Sequence, residues 1–406
     1  MPRTVNKYIH QISKKFLFNS SVVKRLIFWF GYHETINILS ALKRPPSYYT
    51  IRVNTLKIDC QEVIKYLKER GIDAKQHEII KEMILIPTRG PNKLPSCDKR
   101  VVAYKTAAEG VMRGADLYAT GVEKVDNNIR KGDLVEIVDK YGQKVAIGEA
   151  AIDADEMLKH KKNRIAVKVI KSLYEIPKFR DQELYLRGLI YQQTVPSALT
   201  VRILDPKPNE KILDMCAAPG GKSSYIAQLT NQQASITAVD HSRKKINEMK
   251  ERLTRLGITK NIRLLVEDSR KMHKILGEAK FDKILLDPPC SALGIRPKLF
   301  DGTTEKDILN SVIYQRQFLR SAVKLLKDGG VLVYSTCTLD PEENEKNIEY
   351  IINVTHGKLK LEEQTIFIGE KGYPIISEYD SLQRFYPHIH DSPGYFIAKL
   401  RLKERL

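Results

Sequence analysis

The chain has 406 residues, 42% of them apolar and 29% charged, a balance that excludes a disordered polyelectrolyte and leaves room for two or three packed domains. Lys and Arg outnumber Asp and Glu by 68 to 49, a net charge of +19 that points to a polyanionic partner. Five scattered cysteines with no CxxC pair argue against a disulfide framework or a metal site, and the apolar run 26–31 is too short for a bilayer, so a cytoplasmic protein with no membrane partner is expected.

Up to Cys97 there are 17 Lys/Arg against 7 Asp/Glu, which places about half of the excess charge in the first quarter of the chain. Apolar residues recur with helical period over 22–41 and 60–70, on either side of an extended Tyr48-Tyr49-Thr50-Ile51-Arg52-Val53-Asn54. Pro45-Pro46 ends the first helix. With Met83-Ile84-Leu85-Ile86 as a further strand, residues 1–94 read as a small α+β unit. Short strands at 101–104, 134–138, 144–147 and 164–170, with turns at Lys131-Gly132-Asp133 and Tyr141-Gly142, make 95–175 a β-rich domain. Beyond it, strands at 211–215, 235–240, 262–266, 281–287, 331–335 and 394–400 alternate with helices at 222–229, 242–256, 307–326 and 341–352. That βαβ order predicts an α/β, doubly wound, Rossmann-like sheet covered on both faces over 176–406.

The first of these strands runs into Asp214-Met215-Cys216-Ala217-Ala218-Pro219-Gly220-Gly221-Lys222-Ser223. Small residues at a strand-to-helix turn let a ligand approach the backbone closely. Gly221-Lys222-Ser223 matches the end of a phosphate-binding loop, but that pattern needs Gly where Cys216 stands. The dinucleotide pattern GxGxxG is absent as well. Asp240 closes the second strand about 20 positions past the glycines, placed for ribose hydroxyls, and Asp268 closes the third, within reach of an adenine amino group. Acids without a phosphate cradle suit S-adenosylmethionine, which carries ribose and adenine but no phosphate. Taken singly, each Asp is at least as often a helix cap.

Asp287-Pro288-Pro289-Cys290 and, 47 residues on, Ser335-Thr336-Cys337-Thr338 each follow an apolar strand. Chemistry in open α/β sheets gathers at the carboxyl ends of strands, so two thiols there, one beside a carboxylate, point to sulfur used covalently. A single buried cysteine is ordinarily a small hydrophobe, which is the reading for Cys60 and Cys97. Chemistry alone does not order the two thiols.

These three motifs, in this order, resemble the Sun (Fmu) family of RNA cytosine-5 methyltransferases over 176–406, and Tyr49-Thr50-Ile51-Arg52-Val53-Asn54-Thr55-Leu56-Lys57 resembles that family's amino-terminal RNA-binding module. Val111-Met112-Arg113-Gly114-Ala115-Asp116-Leu117, 131–137 and 145–150 resemble a PUA domain, a fold that grips structured RNA and unpaired tRNA ends. The resemblance implies S-adenosylmethionine as cofactor, held by Cys216, Ala217, Ala218, Pro219, Gly220, Gly221, Lys222, Asp240, Lys245, Asp268 and Asp287. It implies Cys337 as nucleophile, Cys290 as the group that helps product release, Asp287 on the N3/amino edge of the base and Lys222 helping to hold it. A PUA domain ahead of a Sun-type domain is similar to the branch that methylates a cytosine at position 72 of tRNA, so the expected partner is the acceptor stem and CCA end of tRNA, bound by a monomer, with no DNA. Lys14, Lys15, Lys24, Arg25, Lys43 and Arg44 are candidates for stem phosphates, although taken singly each is more often a solvated surface charge. The rivals are the same chemistry on ribosomal RNA and a tRNA-binding protein with an idle catalytic fold. Ser392-Pro393 stands where an acidic or polar loop residue is commoner in that family.

Overall fold

The structure, a computed structural model, describes residues 3–159, 164–179 and 182–404. Helices Arg3–Phe16, Ser20–Phe30 and Tyr32–Leu42 come first. The helix expected over 22–41 is thus two, because Gly31 sits at φ +78° and donates its N–H to the Ile27 carbonyl at 2.9 Å, which stops the first and turns the chain into the second. Helix Arg3–Phe16 was not foreseen. It buries Ile9, Ile12 and Phe16 against Val22, Leu26 and Ile38, together with Leu293, Ile308 and Leu339 from the large α/β part.

Strand Tyr48–Val53 lies between Met83–Pro87 and Ile190–Gln192 in a four-stranded antiparallel sheet, with Lys75–Gln76 at the far edge. Register pairs Ile51 with Gln192 and Val53 with Ile190. Phe179, Leu184, Leu189 and Ile190 share one core with Ile51, Val53, Val63 and Leu67. Residues at the head of the expected third section therefore complete the first module, and the β-domain between them is an insertion. That domain is a six-stranded sheet in the order Leu117–Tyr118, Ile165–Ser172, Lys144–Ala150, Leu134–Val138, Lys99–Ala103, Val122–Val125. Two of these strands are too short to show a period in sequence. Leu299 of the large α/β part enters its core beside Val101, Ile137 and Val145.

The large sheet runs Ile262–Val266, Ser235–Asp240, Lys211–Asp214, Phe281–Leu286, Leu326–Thr336, then Tyr395–Leu402, Gln383–Phe385 and Glu370–Lys371. The first five are parallel and Tyr395–Leu402 joins antiparallel, with Val331 opposite Arg401 and Thr336 opposite Phe396. Buried clusters cover both faces. Helix Glu305–Leu325 starts on a Thr304/Asp307 capping box and hands over directly to a strand that begins at Leu326, five residues earlier than expected. Parallel strands deliver their carboxyl ends to one rim, and the site lies there.

Candidate active site

The first strand ends at buried Asp214, and the loop after it is tied to both neighbouring strands: Met215 N–H donates to the Leu285 carbonyl (3.0 Å) and Ala217 N–H to Val239 (2.9 Å). Gly220 turns the chain at φ +98°, and a Cβ there would come within 2.9 Å of Met249. At Gly221 a Cβ would meet the Tyr191 ring at 3.0 Å. Ser223 Oγ donates to Asp214 Oδ2 at 2.6 Å, and burial pushes the Asp214 carboxyl up to about 6. A cavity of about 240 Å³ opens above, lined by Asp214, Cys216, Ala217, Ala218, Pro219, Gly221, Lys222 and Asp287, with Tyr191 and Thr194 across from them.

Asp240 and Asp268 close the next two strands, beyond that lining. Asp240 is buried; its Oδ1 accepts the Ser242 N–H at 3.0 Å, and Oδ2 has no donor among the described residues. Asp268 caps a short 3-10 helix and holds Arg270 through both oxygens at 2.7–3.2 Å, and these bonds keep its carboxyl below the usual range. It is thus already charge-paired. Lys245 is exposed and bonds through its backbone to Ser242 Oγ (3.4 Å), so its side chain is not brought to the cavity. A cradle of small residues without a phosphate site, rimmed by carboxylates, fits a nucleoside that bears a sulfonium cation.

The two thiols meet. Cys290 Sγ and Cys337 Sγ are 3.4 Å apart on loops after adjacent parallel strands, both half-buried. The contact with Cys337, followed by burial, pushes the Cys290 thiol well above its ordinary value. Cys216 is raised too, by burial first, and stays a protonated part of the loop wall. Asp287 Oδ2 is ion-paired to Lys222, while Oδ1 accepts from Ser335 Oγ (2.9 Å) and the Tyr395 hydroxyl (3.4 Å). Burial alone would depress the Lys222 ammonium, but Asp287 and Tyr395 outweigh it and the net shift is upward. The arrangement places a cation and a fixed carboxylate on the cavity wall, and a pair of thiols on the loops that follow Asp287 and Ser335.

Three residues to which sequence reasoning assigned no individual role join the site: Arg52, Ser335 and Tyr395. Arg52, wholly buried in the first module, donates to Gln193 Oε1 (2.6 Å), the Gly221 carbonyl (2.8 Å) and Ser224 Oγ (2.7 Å), between the rings of Tyr191 and Tyr225. It stands inside the Tyr49–Lys57 motif, so a signal existed; its partner across the chain did not show.

Two basic residues expected on RNA are committed elsewhere. Arg25 pairs with Asp340 at 2.8 Å and Glu305 at 3.0 Å, and Lys43 Nζ bonds Gln143 Oε1 at 2.9 Å and the Leu299 carbonyl, with burial lowering it to about 8. Lys14, Lys15, Lys24 and Arg44 are exposed. Cys60 is buried as expected, whereas Cys97 is only half-buried. The departure at Ser392-Pro393 has an acid just before it: Asp391 pairs with Arg296 at 3.0 Å and accepts the Ser47 N–H at 2.8 Å, joining the closing loop to the first module. This loop borders a second cleft, of about 700 Å³, between the first module, Arg113 of the β-domain and the catalytic rim; Gln193 and Thr194 line both spaces.

A parallel sheet of this order, a carboxylate-rimmed cradle and paired thiols define an S-adenosylmethionine-dependent RNA methyltransferase, and the chain belongs to the RsmB/F (Sun) family of RNA cytosine-5 methyltransferases. The family model described as 16S rRNA methyltransferase RsmB/F matches residues 201–401, the RsmF/B-like ferredoxin-like domain 20–91, and the PUA domain 99–173. Among relatives, the chain is similar to the tRNA (cytosine(72)-C(5))-methyltransferase of Pyrococcus horikoshii, 44% identical over 92% of this chain and 94% of that one. It is 31% identical to NSUN6 of Homo sapiens, a tRNA (cytosine(72)-C(5))-methyltransferase, over 91% of this chain and 86% of the other. The crystal structure of NSun6 from Pyrococcus horikoshii with SFG, an analogue of S-adenosylmethionine, superposes with a TM-score of 0.87 at 42% identity, covering 96% and 99% of the two chains. Among the described residues, no helix is long and apolar enough to cross a membrane.

Proposed function

We propose that this chain transfers a methyl group from S-adenosylmethionine to carbon 5 of a cytosine at the end of the tRNA acceptor stem, position 72, through a transient bond between Cys337 and carbon 6. The observation that carries the reading is the pair of sulfur atoms 3.4 Å apart beside the Lys222–Asp287 ion pair. Carbon 5 of cytosine is too weak a nucleophile by itself. Addition of the Cys337 thiolate forms an S–C6 bond and moves the C5–C6 electron pair onto carbon 5. Asp287 faces the N3/amino edge of the base, and Lys222 offsets the charge that gathers on the ring. Bound S-adenosylmethionine supplies the electrophilic methyl group. Removal of the C5 proton then restores the double bond and expels the thiolate, a step that Cys290 serves.

Cys216 through Lys222, with Asp240 for the ribose, form the cofactor wall in this reading; Asp268 reaches adenine only with lone pairs that Arg270 leaves, and Lys245 contributes no side-chain contact. The β-domain and the first module grip the acceptor stem and CCA end across the large cleft, which Tyr48, Tyr49, Lys75 and Arg113 line with rings and cations. The base at a helix end unpairs at the lowest cost, about a few kcal/mol, and swings past Gln193 into the site. The protein acts as a monomer on RNA, not DNA.

The experiment is incubation with methyl-labelled cofactor and acceptor-stem hairpins carrying or lacking CCA, alongside ribosomal RNA fragments, with bisulfite mapping of the product. Methylation of the terminal-stem cytosine that depends on CCA is the expected outcome. Label found only in ribosomal RNA, or in no RNA, would overturn the reading.

A further inference from the structure

Glu343 is a fully buried carboxylate beneath the two cysteine loops, and the reaction just described makes no use of it. Its Oε2 accepts the Ser291 N–H at 2.9 Å and Gln315 Nε2–H at 2.8 Å, and its Oε1 accepts the Ser291 hydroxyl. That hydroxyl also lies 2.7 Å from Thr338 Oγ1. Ser291 has one hydroxyl proton; since it goes to Glu343, Ser291 accepts from Thr338. Ser291 follows Cys290 in the chain and Thr338 follows Cys337. The surroundings are fixed as well: Gln315 donates to the Pro289 carbonyl (3.0 Å), Asn347 to Gln315 Oε1 (2.8 Å), and the Tyr334 hydroxyl to the Glu343 carbonyl (2.7 Å). Burial, with Asp340 adding to it, holds the Glu343 carboxyl above its ordinary range, and Asp340 is itself engaged by Arg25 at 2.8 Å.

We propose that Glu343 is a positioning residue: by clamping Ser291 and Thr338 together, it sets the spacing of the two sulfur atoms. The proposal rests on the reading of Cys337 and Cys290 given above. Neither loop is part of a helix or strand where its thiol sits, and the backbone bond between them, Gly294 N–H to the Cys337 carbonyl at 2.9 Å, is a single one rather than a ladder. The clamp adds a side-chain tie beside it, next to the two thiols. A reacting group misplaced by about 1 Å costs on the order of 10²-fold in rate, so a hydrogen-bonded tie between the residues next to the thiols is worth having.

The test uses full-length Glu343→Gln, Glu343→Ala and Ser291→Ala with phenylarsine oxide, which joins two neighbouring thiols to one arsenic and releases one water, with no change of oxidation state. Cys337→Ala serves as the one-thiol control. The parent chain is expected to bind one equivalent through Cys290 and Cys337. Glu343→Ala and Ser291→Ala should hold it roughly tenfold more weakly, the equivalent of one hydrogen bond. Their turnover should fall toward 10²-fold at unchanged KM for RNA and unchanged cofactor affinity, while Glu343→Gln, which keeps an acceptor for Ser291, recovers most of it. Arsenical affinity equal to the parent's in all three variants would overturn the proposal. So would losses that simply track melting temperature and cofactor affinity. Capture of the arsenical needs neither RNA nor cofactor, so it fails or succeeds apart from the methylation reading, which falls if Cys337→Ala turns over normally.

Discussion

Lys222 and Asp287 are ion-paired across the rim, the lysine on the helix after the first strand of the catalytic sheet and the aspartate after the fourth. Ser335 and Tyr395 approach the other carboxylate oxygen, so the Asp287 carboxylate is held in one orientation with a cation at its side.

Lys222→Met should therefore lower the rate of methyl transfer by about 10²–10⁴-fold, the range for losing a charge-stabilising group at the reacting centre. Tyr395→Phe keeps the ring beneath the ammonium and removes a single hydroxyl proton shared between Ser335 Oγ at 3.2 Å and Asp287 Oδ1 at 3.4 Å, so its loss should be roughly tenfold or less. Single-turnover rates with saturating RNA distinguish the two. A Lys222→Met chain at full speed would take the ion pair out of the chemistry.

The thiols should separate by role. Cys337→Ala is expected to bind RNA and form neither adduct nor product. Cys290→Ala should collect a protein–RNA adduct that survives denaturing gels. If Cys290→Ala releases methylated RNA as fast as the parent, its part in release is wrong.

Asp214 supplies a pH signature of stability. Its carboxyl titrates at about 6 in the folded chain against an ordinary value of 3.8. Between those values the folded state binds more protons than the unfolded state, so this residue's contribution falls as pH rises from about 4 to about 6 and is level above. Asp214→Asn removes that slope while leaving an acceptor for Ser223. Urea unfolding across this window should show the parent losing ground to the variant as pH rises. Parallel curves would show a carboxyl that titrates normally.

Arg52→Ala removes the guanidinium donor from Gln193 Oε1 and Ser224 Oγ, and one of two donors from the Gly221 carbonyl, which keeps the Ser224 hydroxyl at 2.9 Å. A loss on the order of 3 kcal/mol is expected, together with weaker cofactor binding, because the Gly221 carbonyl belongs to the cradle. Chemical denaturation and calorimetric titration with S-adenosylmethionine read both. Stability within about 1 kcal/mol of the parent would mean that solvent replaces the guanidinium without penalty.

The strands of the large sheet were legible because buried parallel strands are unbroken apolar runs bounded by Gly, Pro and Asp, as at Phe281–Leu286. The cradle was legible because three small residues and two glycines between a strand and a helix have few other uses. Helix Arg3–Phe16 was missed although Ile9, Ile12 and Phe16 recur at helical spacing; it lacks an acidic first turn, and polar residues fill the positions between them. Gly31 looked like a residue inside a helix when it is a stop. The contacts of Arg52, Tyr395 and Glu343 join residues 141, 108 and 52 positions apart, and no local period records such pairs. Arg25 and Lys43 were misread for the same reason: a basic residue near the amino terminus looks free until its carboxylate or carbonyl partner, hundreds of residues away, is in place.

Strand Ile190–Gln192 hydrogen-bonds to Tyr48–Val53 from the far side of the inserted β-domain. During synthesis, then, the opening sheet has an unpaired edge until residue 192 has left the ribosome, while the strands of the insertion, all between Lys99 and Ser172, are able to pair with one another sooner, with Leu299 added to their core later. The layout brings residues 53 and 190 side by side across the insertion, so closing the middle segment shortens the loop that the opening module has to close.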